Sequence, residues 1–157
     1  MEENIELTWY EAKLAAEVGI NRCICSWGKN SKHAAGYKPK DLFDTNIKAA
    51  ASEMAVAKYL GIYWDGSVNT YKEQPDLAPD IEVRLSMMTP PCLIIRPNDK
   101  GGRRYVLVRN MWIHGQRPKF QIMGFQRKEL MQDKWLTDFG QERPECWAVP
   151  TKELMPI

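Results

Sequence analysis

Four acidic residues and an arginine stand in this sequence in a pattern that can bind a metal ion and a phosphate. Asp76, Asp80 and Glu82 fall within seven residues, Arg84 follows, and Glu53 precedes them. Carboxylate oxygens are the ligands that Mg²⁺ and Mn²⁺ prefer, and such an ion activates a bound water for attack on a phosphodiester. A neighbouring cation then stabilises the charge of the transition state. The residue types therefore predict chemistry on phosphate esters.

A helix is predicted to carry Glu53. Thr45 is a suitable N-cap, and Gly61 ends an apolar pattern over residues 46–60. Glu53 shares a helix face with small apolar residues, namely Ala49, Ala50, Val56 and Ala57. A carboxylate on such a face needs a cation or strong hydrogen-bond donors. Two interpretations stay open: a functional ligand, or a boundary glutamate paired with a lysine or with backbone amides.

A strand is predicted to carry Glu82 and Arg84. Residues 81–86 alternate, with Ile81, Val83 and Leu85 on one face and the polar side chains on the other, namely Glu82, Arg84 and Ser86. Further strands are predicted at 92–97, 104–109 and 119–125. Thr8 and Glu11 form a capping box for a first helix, predicted to end at Gly19. Residues 20–27 are predicted to be extended, 28–44 a loop, and 127–136 to hold a short helix.

These elements predict an α/β (α+β) fold, with a mixed central β-sheet flanked by helices. We expect one domain over residues 1–157, divided into an N-terminal helix and loop (1–44), a core (about 45–125) and a C-terminal helix and tail (126–157). A hydrophobic content of 44% and a charged content of 27% exclude a disordered chain. The sequence has no apolar run of about 18 residues and no leader, which favours the cytoplasm over a membrane.

Basic residues concentrate in one part of the chain. Residues 96–128 contain nine basic residues and one acidic residue, a net charge of +8, whereas the whole chain carries +2. Such asymmetry favours a polyanionic partner, above all DNA, although solvated sheet faces and turns would give the same composition. The candidate nucleic-acid-binding residues are Arg96, Lys100, Arg103, Arg104, Arg109, Arg117 and Lys119.

The acidic helix, Pro75-Asp76 and Glu82-Val83-Arg84 together resemble the PD-(D/E)xK nuclease superfamily. Three segments, SEMAVAKYLGIYWDGSVNTYK, PDLAPDIEVR and CLIIRPND, are also similar to small phage- and prophage-encoded proteins. The resemblance implies a restriction-endonuclease-like fold and metal-dependent cleavage of DNA in a host-cell cytoplasm. It also implies Mg²⁺ or Mn²⁺ ligands and catalytic residues at Glu53, Asp76 and Glu82, with Asp80 competing as the first acid.

Arg84 stands where that superfamily has lysine, and it would serve as the fourth catalytic residue. Lysine can give up its proton and act as a base, whereas arginine stays charged and can only clamp a phosphate or orient water. An alternative hypothesis is therefore a non-catalytic protein of the same fold that binds DNA, or a phage or host protein. The enzymatic hypothesis requires that Glu53 not point away from Glu82 and that its oxygens are not already neutralised by an ordinary lysine.

Overall fold

The computed structural model describes residues 3–28, 41–68, 73–140 and 143–157. Its two helices are α1 (Trp9–Gly28) and α2 (Leu42–Leu60). The strands are β1 (Glu3–Glu6), β2 (Ile81–Ser86), β3 (Cys92–Ile95), β4 (Arg104–Asn110), β5 (Lys119–Arg127), β6 (Leu136–Thr137) and β7 (Cys146–Pro150).

The strands form two sheets. Sheet A has the order β1-β5-β4-β2, and it is mixed because β2 runs parallel to β4 while the other pairs are antiparallel. Sheet B has the order β3-β7-β6 and is antiparallel. The fold is thus mixed α+β, and the α+β class predicted from the sequence is confirmed.

Sheet A lies between two apolar cores. The first core joins both helices to one face of sheet A, where Val106, Val108, Phe120 and Ile122 are buried. The second core joins the opposite face to sheet B, through residues such as Tyr105, Leu107 and Leu93. The chain therefore has three layers: helices, sheet A and sheet B.

The first helix is longer than predicted, because α1 continues through residues 20–27, which were predicted to be extended. Gly19 does not end the helix. A Cβ atom at Gly19 would lie 2.5 Å from Cα of Ile47, so the glycine permits a close crossing of α1 and α2. The predicted loop at 28–44 lies mostly outside the described residues.

Other boundaries differ less. The N-cap of α2 is Asp41, whose side chain accepts a hydrogen bond from the Asp44 N–H at 3.0 Å, and not Thr45. Gly61 ends α2 with a left-handed φ of 64°, as predicted. In place of the single short helix predicted at 127–136, the structure has two 3₁₀ turns, Lys128–Leu130 and Asp133–Trp135, between the end of β5 and the start of β6.

Candidate functional site

Glu53 forms a two-pronged ion pair with Arg22. The Arg22 Nη1 and Nη2 atoms donate to Glu53 Oε1 and Oε2 at 2.6 and 2.8 Å. Glu53 lies in the buried part of α2, and Arg22 reaches it from α1 across the helix interface. Both carboxylate oxygens are therefore already neutralised by a cation of the chain.

Two more contacts tie the α2–β2 connection to this pair. The Trp64 indole N–H donates to Glu53 Oε2 at 3.2 Å, and Arg22 Nε donates to the Ser67 carbonyl at 2.9 Å. Burial raises the pKa of Glu53 to about 7, the bonds from Arg22 oppose that shift, and the nearby Asp76 carboxylate adds to it. The Arg22–Glu53 pair thus anchors residues 64–67 to both helices.

Glu82 is held by Arg103 in the same manner. The Arg103 guanidinium donates to the Glu82 carboxylate and also to the carbonyl of Glu73, at 3.2 Å. The Glu82 and Arg103 side chains are only 13% and 8% exposed. Burial and the Asp76 carboxylate raise the pKa of Glu82 to about 7, against the effect of Arg103. This second ion pair fixes the segment that leads into β2.

Asp76 lies at the outer edge of sheet A. Its Oδ2 accepts a hydrogen bond from the backbone N–H of Val83 at 2.8 Å, and Leu77 makes paired backbone bonds with Ile81. The segment before β2 therefore folds back and covers part of this edge strand. The negative charge of Asp76 raises the pKa of both Glu53 and Glu82, so Asp76 interacts with both ion pairs.

The remaining candidates have partners of their own. Asp80 binds the Arg104 side chain through bonds of 2.7 to 3.2 Å, and this contact lowers the pKa of Asp80. Arg84 contacts the buried carboxylate of Asp99 at 3.0 Å, and its guanidinium lies over the Tyr105 ring at 5.2 Å. Arg84 thus supports the second core.

The predicted metal ligands lie around one strand but on different sides of it. Ile81 is buried in the first core, and Val83 packs against that core, so the alternation of β2 places Glu82 on the opposite face from the helix that carries Glu53. Asp76 occupies the edge between them. Carboxylates have the right chemistry for Mg²⁺. The described residues nevertheless contain no group of three acidic, His or Cys side chains able to hold a metal ion, so these residues do not fit one as arranged.

The predicted DNA-binding cations divide into three groups. Arg103, Arg104 and Arg117 form ion pairs with Glu82, Asp80 and Glu6. Arg96 and Lys100 lie in the turn between β3 and β4, where their backbone groups bond to Asp99 and Tyr105, but their side chains make no ion pair with residues that the structure describes. Arg109 and Lys119 make no ion pair with any residue that the structure describes.

Arg109 and Lys119 share one face of sheet A. Their neighbours Val108 and Phe120 are buried in the first core, so the alternating side chains of β4 and β5 turn Arg109 and Lys119 to the other side. We call this surface the open face; it lies on the side of sheet A that also carries sheet B, and its residues belong to neither apolar core. Its members are Asn4, Glu6 and Lys119, which are exposed, Arg109 and Gln121, which are half-buried, and Ser86, which is buried.

Comparisons with protein-family models, curated proteins and solved structures find no match to this chain. Among the described residues, neither helix has the length and apolar character needed to span a membrane.

Sequence reasoning missed Arg22 and Arg103 as the partners of Glu53 and Glu82. A signal for Arg22 was present. Ala12, Ala15, Gly19 and Cys23 form a buried stripe at helical spacing that continues past Gly19, and Arg22 lies beside it. Arg103 carried no comparable signal, because it adjoins Glu82 only through the parallel pairing of β2 with β4.

Proposed function

We propose that the protein binds DNA through the open face of sheet A and does not cleave it. The observation that carries this proposal is the pairing of charges. The acidic residues expected to hold a metal bind arginines or a backbone amide. By contrast, Arg109 and Lys119 lie on the open face and make no ion pair with residues that the structure describes. Uncompensated cations on one face attract a phosphate backbone.

The resemblance to the PD-(D/E)xK superfamily is retained as a proposal about the fold. Its support is the order of elements: a helix with a buried Glu53, an acidic turn, and a strand with Glu82 and Arg84 in a mixed sheet. In this proposal, the acidic positions have become part of the ion-pair framework. Arg84 fits that role, because it is held by Asp99 and Tyr105.

A second candidate function is Mg²⁺-dependent cleavage of DNA, which one observation favours. Glu53, Asp76 and Glu82 supply three carboxylates, while Arg22 and Arg103 supply two cations. Asp76 therefore adds a negative charge that the pairs do not balance, and it raises the pKa of both glutamates. A divalent cation that bound beside Asp76 while both ion pairs stayed in place would offset this excess.

One experiment separates the two functions. Labelled DNA is titrated with the protein in EDTA and in 5 mM MgCl₂ (about the usual assay level), and both binding and strand cleavage are followed. We expect binding in both buffers, no cleavage, and weaker binding by Arg109→Gln. The control is Lys13→Gln, which removes an exposed charge on α1 away from the open face. Cleavage in Mg²⁺ that Glu82→Gln abolishes would support the second candidate, and no binding in either buffer would favour a protein partner.

A further inference from the structure

The hairpin formed by β4 and β5 has positively charged residues around its loop and no acidic residue. The loop covers residues 111–118, between Asn110 at the end of β4 and Lys119 at the start of β5. Residues 109–119 include three arginine or lysine residues, namely Arg109, Arg117 and Lys119. Arg117 pairs with Glu6, whereas Arg109 and Lys119 make no ion pair with residues that the structure describes. The hairpin therefore offers two uncompensated cations to a phosphate backbone.

The tip of this hairpin is a tight turn that is fixed to the body of the protein. The backbone N–H of Gln116 donates to the Ile113 carbonyl at 3.0 Å, and Gly115 supplies the left-handed φ of 79° that such a turn requires. The Trp112 indole N–H donates to the Gln116 carbonyl at 3.0 Å. The Trp112 ring packs against the first core, with its centroid 6.4 Å from that of Phe120. These contacts hold the tip in one position.

Two apolar side chains of this loop are accessible to a partner. Ile113 is 60% exposed and Met111 is 37% exposed, and neither belongs to an apolar core. Trp112 packs against the first core, so the alternation of β4 continued into the loop places Met111 and Ile113 on the opposite side, with Arg109. Lys119 lies beside them, because its carbonyl accepts a hydrogen bond from the Met111 N–H. One side of the hairpin thus combines an apolar tip with two cations.

We infer that the tip of this hairpin enters the minor groove of duplex DNA and inserts Ile113 between two base pairs. The inference rests on the proposed function. Apolar side chains that enter the minor groove unstack a base step and bend the duplex toward the major groove. Such a wedge must not be pushed aside, and the turn held by Trp112 and Gln116 meets that need. Arg109 and Lys119 then contact the phosphates beside the insertion site.

The test uses a duplex of about 20 base pairs, roughly two helical turns, with one TA step at its centre. TA steps are easily unstacked, so a wedge should act there. The adenine of that step is replaced by 2-aminopurine, which fluoresces more strongly when it is unstacked, and dyes on the two ends report the bend by energy transfer. We expect the wild-type protein in EDTA to raise the 2-aminopurine fluorescence and to bend the duplex by about 20° or more.

Three variants assign these signals to the tip. Ile113→Ala should abolish both signals but change the affinity by no more than about ten-fold, because the lost apolar contact and the avoided unstacking offset each other. Ile113→Leu should keep both signals, since leucine also serves as a wedge. The matched control is Ile24→Ala, which removes an isoleucine that is 52% exposed on α1, on the other side of sheet A, and should change neither signal.

The outcomes separate the inference from the proposed function. Binding without a bend, or an equal 2-aminopurine signal from the wild type and from Ile113→Ala, would overturn the inference and leave the proposed function standing. No binding to this duplex or to its separate strands would overturn both. Binding to vesicles that contain an anionic lipid, in place of the DNA, would also overturn both and assign the tip to a membrane surface.

Discussion

Arg22→Met tests whether the buried ion pair between the helices belongs to the structural framework. The substitution removes two charge-assisted bonds to Glu53, of 2.6 and 2.8 Å, and the bond to the Ser67 carbonyl. Methionine keeps most of the side-chain length but has no charge. Among the residues that the structure describes, the Trp64 indole is then the one donor left to the buried Glu53 carboxylate.

The expected cost is large at alkaline pH. Breaking a buried ion pair by removing one partner costs about 3 to 5 kcal/mol, because the other charge stays buried without compensation. We expect about 4 kcal/mol at pH 8, measured as the free energy of unfolding in urea. At pH 5.5 the cost should fall to less than half, since the raised pKa lets Glu53 take up a proton.

The double variant Arg22→Met with Glu53→Met is the matched control, because it removes both charges together. We expect it to regain about 2 kcal/mol or more relative to Arg22→Met alone. If the single variant lost less than about 1 kcal/mol of unfolding free energy, this reasoning would be refuted, because removing one partner of a stabilising buried ion pair costs more than that. A double variant that is no more stable than the single one would also refute it.

Three further predictions concern other parts of the framework. Gly19→Ala should lower the free energy of unfolding by more than about 2 kcal/mol, because the new Cβ would meet the Ile47 backbone at 2.5 Å; wild-type stability in urea would show that the helices separate easily. A raised carboxyl pKa means that the folded state holds the proton more tightly than the unfolded state, so the stability contributed by Glu82 falls as the pH rises from 4.5 to about 7. Glu82→Gln should therefore make the loss of stability between pH 5 and pH 8 smaller by about 2 kcal/mol, and an unchanged pH profile would contradict this. Arg84→Lys should restore no DNA cleavage in Mg²⁺ and should lower the melting temperature, since lysine cannot reproduce the contact with Asp99 and the Tyr105 ring; metal-dependent cleavage by this variant would show that only the base was missing.

The alternation of residues 81–86 and the glycine cap of α2 were readable from the sequence, because both depend on local patterns. The sequence pattern also predicted that Glu53 lies on a packed helix face and that its carboxylate needs a cation or strong hydrogen-bond donors. Gly19 shows where local reasoning fails. A glycine after an amphipathic segment is typical of a helix end, but here it serves a tertiary contact that no local pattern encodes.

The candidate site was predictable only in its composition. Glu53, Asp76 and Glu82 do lie around β2, but which face each side chain occupies depends on where the helices pack. Their partners Arg22 and Arg103 are 31 and 21 residues away in the chain, so the ion pairs arise from tertiary folding. The positive segment was likewise visible as a charge sum, whereas its division into paired, turn and open-face cations required the tertiary structure.

The central claim is that arginines, and no metal ion, neutralise Glu53 and Glu82, while Asp76 accepts a backbone hydrogen bond. The most direct measurement is a crystal structure grown in the presence of Mn²⁺, with anomalous scattering used to locate the metal. We predict no anomalous peak among Glu53, Asp76 and Glu82, and intact contacts from Arg22 and Arg103. A Mn²⁺ ion bound to Asp76 and either glutamate, with the arginines displaced, would contradict the claim and support the enzymatic function.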